Sequence, residues 1–221
     1  MNITDPFLYK PLERTSGKTG RHYIVGEGRA LPSVTTILSN TKDMSVIQEW
    51  KQRVGDTVAD NIIKDSVQTG DKVHDNLEQY ILHGTVPTGT LMAKIITRLI
   101  IDKGLSKVNE VWGCEVPLYF PSLYAGTADL IGVHQGKPTI MDFKNSRMVK
   151  KEEWIIDYKM QLVSYAEAHN ELYGTDIQRG VIMMGCHDGQ YAEWIVEGDA
   201  WEEAKKEWYN RLETYYLTFG I

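Results

Sequence analysis

The sequence predicts an α/β protein of the α+β kind, a mixed sheet flanked by helices, with a mostly helical N-terminal part. Three observations lead there. From position 33 to about 105, apolar residues recur at helical spacing. Beyond that point the period changes to strand-like runs separated by short turns. A long amphipathic segment then parts the third strand from the fourth, which implies a helical crossover and hence a mixed sheet.

The elements follow in order. The first 30 residues are turn-rich, with HYIV as a short strand and GEG as a turn. Ser33, after Pro32, can cap a short helix, SVTTILSN. SVIQEWKQRV and DTVADNIIKDSV read as helices. TGDKVHDNLEQYILHG reads as another, with Val73, Leu77, Tyr80 and Ile81 on one stripe and Gly84 at its end. TGTLMAKIITRLIIDKG stops at Gly104. Three strands come next: VNEVWGCEVPLYF, YAGTADLIGVHQ and KPTIMDFK. A helix is expected over about 152–173, closed by Gly174. IQRGVIMMGCH and QYAEWIVE form a hairpin around Asp188-Gly189, and a last helix runs over about 199–218. No internal repeat or linker divides the chain. The expectation is one domain over 1–221, with 1–105 mostly helical and 106–221 as the αβ core.

Composition excludes several classes. The 221 residues are 42% hydrophobic and 24% charged, as in an ordinary globular protein. The net charge of −6 argues against a protein that coats nucleic acid by general attraction, but leaves room for one local basic groove. Cys114 and Cys186 are too far apart for a Cys-x-x-Cys metal site and suggest a reducing compartment. No apolar run approaches the roughly 20 residues of a membrane span. No signal peptide or Arg-rich presequence opens the chain, so the expected location is the cytoplasm of a bacterial or phage-infected cell, ahead of the mitochondrial matrix. GKT at 17–19 lacks the glycine five residues earlier that a phosphate-binding loop needs, because Leu12 stands there.

The chemistry gathers around TIMDFKNS. Alternate residues of a strand share a side, so Asp142 and Lys144 project together. Asp129, in GTADLIG, lies on the strand before. Two carboxylates brought together resist ionisation unless a cation sits between them, and Mg²⁺ is commonly held by one or two carboxylates. Lys144 beside that cation can orient or deprotonate a water, or stabilise charge on phosphorus. The alternative is a plain salt bridge. His74 precedes Glu78 by four residues, so it offers either a nitrogen ligand, which Mn²⁺ tolerates alongside Mg²⁺, or half of a surface pair. Gln161 and Tyr165 share a helix face, as groups aimed at the site or as a buried pair that satisfies itself. Glu115, on the strand before Asp129, stands next in line to approach the metal through water. Arg147, Lys150 and Lys151 form a local basic patch suited to phosphate, or a solvated loop. Trp50, Lys51 and Arg53 can line a channel for a single strand, with Trp50 in the core as the favoured alternative.

The order His74, Gly126-x-x-Asp129, Asp142-x-Lys144, Gln161-x-x-x-Tyr165 resembles the RecB-like branch of the PD-(D/E)xK nuclease superfamily over about residues 70–170. LPSVTTILSNT, QEWKQRV, YAGTADLIG and MDFKNS are similar to the mitochondrial genome maintenance exonuclease group and its phage and bacterial relatives. Asn145 stands where that group usually has threonine, and Ser146 is kept. The resemblance implies a restriction-endonuclease-like core with a helical part arching over the site. It implies Mg²⁺ or Mn²⁺ on His74, Asp129, Asp142 and the Phe143 backbone carbonyl, with Lys144 as the catalytic lysine. Gln161 and Tyr165 would orient the site and, with Ser146, Arg147, Lys150 and Lys151, contact DNA. Two cysteines cannot supply the four that an iron–sulfur cluster takes in some relatives, so no cluster is expected. The implied activity is exonucleolytic hydrolysis of single-stranded DNA from a free end, leaving 5′-phosphates, in replication, recombination or repair. A structure-selective or restriction-type endonuclease, and a catalytically silent nucleic-acid-binding protein, remain as alternatives.

Overall fold

The computed structural model describes residues 1–220, leaving aside the Val46 side chain. A six-stranded mixed sheet organises it. Three long strands, β5 (Val108–Phe120), β6 (Tyr124–His134) and β7 (Lys137–Ser146), run as an antiparallel meander. Helix α5 (Ile156–Tyr173) then crosses over to β8 (Gly180–Cys186), which lies parallel to β7. Strand β9 (Tyr191–Val196) returns antiparallel, and α6 (Asp199–Phe219) follows. At the other edge β1 (Asn2–Ile3) pairs in parallel with β5, which gives the order β1-β5-β6-β7-β8-β9. This is the expected mixed sheet flanked by helices.

Both faces of the sheet are covered. On one side α5, α6 and α1 (Val34–Asn40) close over a core that includes Ile37, Ile140, Leu162, Ile182 and Trp208. On the other, α3 (Asp56–His83) and α4 (Leu91–Lys103) bury Leu77, Ile96, Met141, Phe143 and Met183. A strand covered twice must be apolar throughout, and every residue of β8 is buried. Strand β7 is buried from Thr139 to Phe143 and opens from Lys144 onward. Its far end is therefore where the sheet meets solvent with charged groups. Among the described residues no helix is long and apolar enough to cross a membrane.

The N-terminal part differs from the expected pattern in two ways. HYIV is the middle of a three-stranded antiparallel sheet, β2 (Glu13–Gly17), β3 (Gly20–Val25) and β4 (Arg29–Pro32). ERTSG and RALP carry almost no apolar alternation, so they form strands only because β3 pairs with them on both sides. The other difference is α3. The two helices expected over 56–67 and 69–84 are one helix of 28 residues that runs through Gly70. A mid-helix glycine costs about 1 kcal/mol against alanine. Here it has a packing reason, since a Cβ at 70 would stand 2.9 Å from Asn145 Oδ1. Gly70 lets α3 cross close over the end of β7, and Asn145 Nδ2 donates to the Ser66 carbonyl at 3.1 Å. The Ser33 cap forms as expected, accepting from the Thr36 backbone N–H.

Candidate functional site

Strands β6 and β7 hold their ladder up to the pair Leu130↔Met141 and then part. Beyond it Asp129 takes over, as its Oδ2 accepts the Phe143 N–H at 2.7 Å. The carboxylate thus replaces a ladder bond and is fixed by it, 8% exposed. Asp142 follows on β7 and is 2% exposed. Lys144 Nζ lies 2.7 Å from its Oδ1 and 2.6 Å from Oδ2, but only the first contact has hydrogen-bond geometry. The second buried oxygen keeps the ion-pair contact with Lys144 but has no hydrogen bond of its own.

Glu115 comes in from β5, across from Asp129. Its φ is +51°, the left-handed region, at a cost of roughly 1–3 kcal/mol for a residue other than glycine. That twist turns a strand residue toward the acids. His74 descends from α3, flanked by buried Val73 and near Leu77. Its Nδ1 stands 3.5 Å from Asp129 Oδ1 and 3.8 Å from Glu115 Oε1, and its Nε2 lies 3.0 Å from the Phe143 carbonyl oxygen. The alternative pairing of His74 with Glu78 does not form; the imidazole faces Glu115 and Asp129 instead. A donor N–H at Nε2 would hold the ring with the Nδ1 lone pair toward the carboxylates. The Phe143 carbonyl keeps a second lone pair.

Donor atoms of His74, Glu115 and Asp129 all lie within 4.8 Å of one another, a spacing that suits one divalent cation. The electrostatics point the same way. Burial pushes the Asp142 carboxyl up to about 6, against the pull of Lys144. Burial opposes charge on His74, but Asp129, Glu115 and Asp142 outweigh it and hold the imidazole up at about 9. Lys144 is raised as well: burial works against its charge, and Asp142 and Asp129 more than offset that. Three carboxylates, Glu115, Asp129 and Asp142, thus face one lysine and one histidine. The chemistry of the donor set, with its mixed oxygen and nitrogen atoms and its orphaned oxygen, fits a hard divalent metal.

Gln161 and Tyr165 reach the site from α5. Gln161 Nε2 donates to the Tyr165 hydroxyl at 3.2 Å, and Tyr165 is 4% exposed. The glycine of Gly126-x-x-Asp129 explains itself here, because a Cβ at 126 would meet Tyr165 Cε1 at 2.5 Å. All these groups except Asp142 and Phe143 line one cavity of about 1130 Å³. Ser146, Arg147 and Lys150 line it too. Lys151 does not; it is exposed, 3.9 Å from Glu153 and over the Trp154 ring. Trp50 is half-buried in the cavity wall rather than in a core cluster, and Arg53 lines the wall beside it, while Lys51 pairs with Asp60 at 2.8 Å.

Some of the wall was not singled out in the sequence. Tyr158 holds Lys144 Nζ 4.9 Å above its ring and takes a 2.9 Å hydrogen bond from Lys150. Its signal was available, for it lies three residues before Gln161 on the same helix. Arg14 and Arg21 also line the cavity, from β2 and β3. No signal marked them, since their strands are polar.

No known family profile matches the chain. It is 26% identical over 203 residues to human mitochondrial genome maintenance exonuclease 1 (Homo sapiens), covering 84% of this chain and 58% of that protein. The match thus spans little more than half of the relative's length. Among solved structures it is similar to SSO0001, with TM-score 0.44 and 16% identity over 88% of this chain and 79% of that one. It is also similar to Scheffersomyces stipitis Rai1, with TM-score 0.29 and 14% identity over 94% of this chain and 55% of that one.

Proposed function

We propose that the protein is a metal-dependent deoxyribonuclease that hydrolyses phosphodiester bonds of single-stranded DNA from a free end. The observation that carries this reading is the surplus of buried carboxylate around Asp129 and Asp142, with one lysine fixed beside it, opening into a cavity that also carries arginine and tryptophan. The similarity to a named exonuclease supports the same chemistry.

Glu115, Asp129, Asp142, His74 and the Phe143 carbonyl would hold Mg²⁺ or Mn²⁺. When bound, such an ion supplies Lewis-acid polarisation of a phosphate oxygen and lowers the pKa of a water. The chain's own groups do the rest. Lys144 keeps its proton against Asp142, so it acts as a fixed cation where negative charge grows on the phosphate. Tyr158 and Asp142 hold that ammonium from two sides. Gln161, tied to Tyr165, presents its amide to the strand. Ser146, Arg147 and Lys150 bind flanking phosphates, and Trp50 stacks on a base. Helices α2 (Ser45–Val54) and α3 both line the cavity, and such a wall would favour a threaded end over a duplex.

The test is degradation of an end-labelled single-stranded oligonucleotide with Mg²⁺ or Mn²⁺, beside a covalently closed single-stranded circle. The linear strand should be shortened only when metal is present, and the circle left intact. Cleavage of the circle would make the enzyme an endonuclease. No cleavage of either, or undiminished cleavage by Lys144→Ala, would overturn the reading.

A further inference from the structure

The cavity has two walls of opposite charge. Helix α3 turns Asp65, Asp71, Asp75 and Glu78 toward it, and the small sheet turns Arg14 and Arg21. Among the described residues neither arginine has a carboxylate within 4.0 Å. In a chain of net charge −6, two exposed guanidinium groups without a carboxylate partner, on the cavity wall across from the acidic one, suit an anion.

Arg14 is also pre-set. It pairs across the small sheet with Tyr23, and its guanidinium lies 5.7 Å above that ring. Its Nη2 donates to Thr127 Oγ1 at 3.2 Å, and the Tyr23 hydroxyl lies 3.0 Å from the same oxygen. Tyr23 is 2% exposed, so the platform is rigid. Thr127 sits two residues before Asp129 on β6, on the same side of the strand, about 6.6 Å away by strand rise. Arg21 is two residues from Tyr23 on β3 and therefore shares its face. A guanidinium fork matches a phosphate in two-point geometry, and one already anchored loses little freedom on binding.

We infer that Arg14 and Arg21, carried on the Tyr23–Thr127 platform of the small sheet, form a seat for the backbone phosphate next to the one that is cleaved. The inference rests on the nuclease reading and adds a direction to it. The strand's phosphates run from Arg147 and Lys150, past Lys144, to the small sheet, and the acidic face of α3 repels them. The three-stranded sheet is thereby part of the substrate-binding surface.

The probe is a fluorescent single-stranded oligothymidylate, titrated in Mg²⁺ against Lys144→Ala protein so that it stays intact. Adding Arg14→Gln and Arg21→Gln should weaken binding at least 10-fold. Each phosphate no longer neutralised removes about 0.7 from the slope of log affinity against log salt for a single strand, so loss of this one seat should lower the slope by about 0.7. Glutamine keeps a donor for Thr127, and far-UV circular dichroism checks the fold. Lys206→Gln, exposed on α6 away from the cavity, should change neither quantity. In the otherwise wild-type enzyme the arginine pair should raise KM and leave kcat within about twofold, a split that general loss of structure would not give. Unchanged affinity and slope in the double variant, with the parent binding normally, would overturn the seat and leave the nuclease reading standing. A Lys144→Ala parent that does not bind DNA, together with wild-type protein that does not degrade it, would overturn both.

Discussion

The chain buries ionic groups at two places along β7, around Arg179 where the strand begins and around Asp142 where it ends. Both include a histidine, carboxylates and a fixed cation. At the first, Arg179 donates to Glu197 at 3.1 Å, to the His134 ring and carbonyl at 3.2 Å each, and to Thr139 at 2.8 Å. Glu193 accepts from Lys107 at 2.9 Å and from the Tyr191 hydroxyl at 2.7 Å. Cations match anions there, and the one buried atom of the cluster without a hydrogen bond is an imidazole nitrogen, His134 Nε2, 4.0 Å from Glu193, and no carboxylate oxygen. At the second, three carboxylates face Lys144 and His74, one buried oxygen lacks a hydrogen bond, and the group opens into the cavity. Burial of charge by itself therefore does not mark a site. An imbalance that the protein leaves for something else to neutralise does.

Single substitutions should pull the two clusters apart. Lys144→Ala should lower turnover at least 100-fold, in line with the roughly 10²–10³-fold effect of one well-placed electrostatic group. Arg179→Ala should leave activity per folded molecule nearly intact. It should cost about 1–3 kcal/mol of stability, because the His134 carbonyl and the Thr139 hydroxyl lose a buried donor, while the exposed Glu197 adds little. Denaturant melts beside single-turnover rates would show whether that double contrast holds.

Next comes pH, where the clusters should respond with opposite sign. Asp142 has its folded pKa raised from 3.8 to about 6, so the metal-free folded chain holds a proton that the unfolded chain releases. Stability should fall as pH rises across that window. His74, raised from 6.5 to about 9, adds stability that is present below 6.5 and lost as pH climbs through 9. His134 runs the other way: burial lowers its pKa below 6.5, so stability rises with pH in the window just under that value. Denaturation midpoints in chelator for Asp142→Asn and His134→Gln, against wild type, would separate the two contributions.

Smaller effects test how tightly the open site is packed. Gly126→Ala places a methyl against the Tyr165 ring, and overpacking of this kind costs about 1–3 kcal/mol. It should also slow turnover by displacing Gln161. Gly70→Ala should be the mildest. Helix propensity gains up to about 1 kcal/mol, offset by a shift of the flexible Asn145 amide.

What the sequence showed and hid follows the same physics. Strands β5 to β8 were legible because two-sided burial writes long apolar runs into them, and Asp142 was conspicuous for interrupting one. The Gln161–Tyr165 pair was legible from helical spacing, though whether it faced the cavity was not. Strands β2 and β4 were hidden because their pairing, and not their own side chains, makes them strands. Arg14 and Arg21 were hidden with them. The separation expected between residues 67 and 69 does not form, because nothing local reveals that α3 runs on through Gly70 and passes over Asn145. Glu115 was ranked last among the acids because its positive φ, which turns it toward His74 and Asp129, leaves no mark in composition.

The open cluster is proposed to be a metal centre. The most direct measurement is calorimetric titration of Mn²⁺ into wild-type protein and Asp129→Asn. Saturable binding of one or two ions by wild type, weakened at least 10-fold in the variant with the fold retained, is the predicted result. No saturable binding by wild type, or equal binding by both, would contradict it.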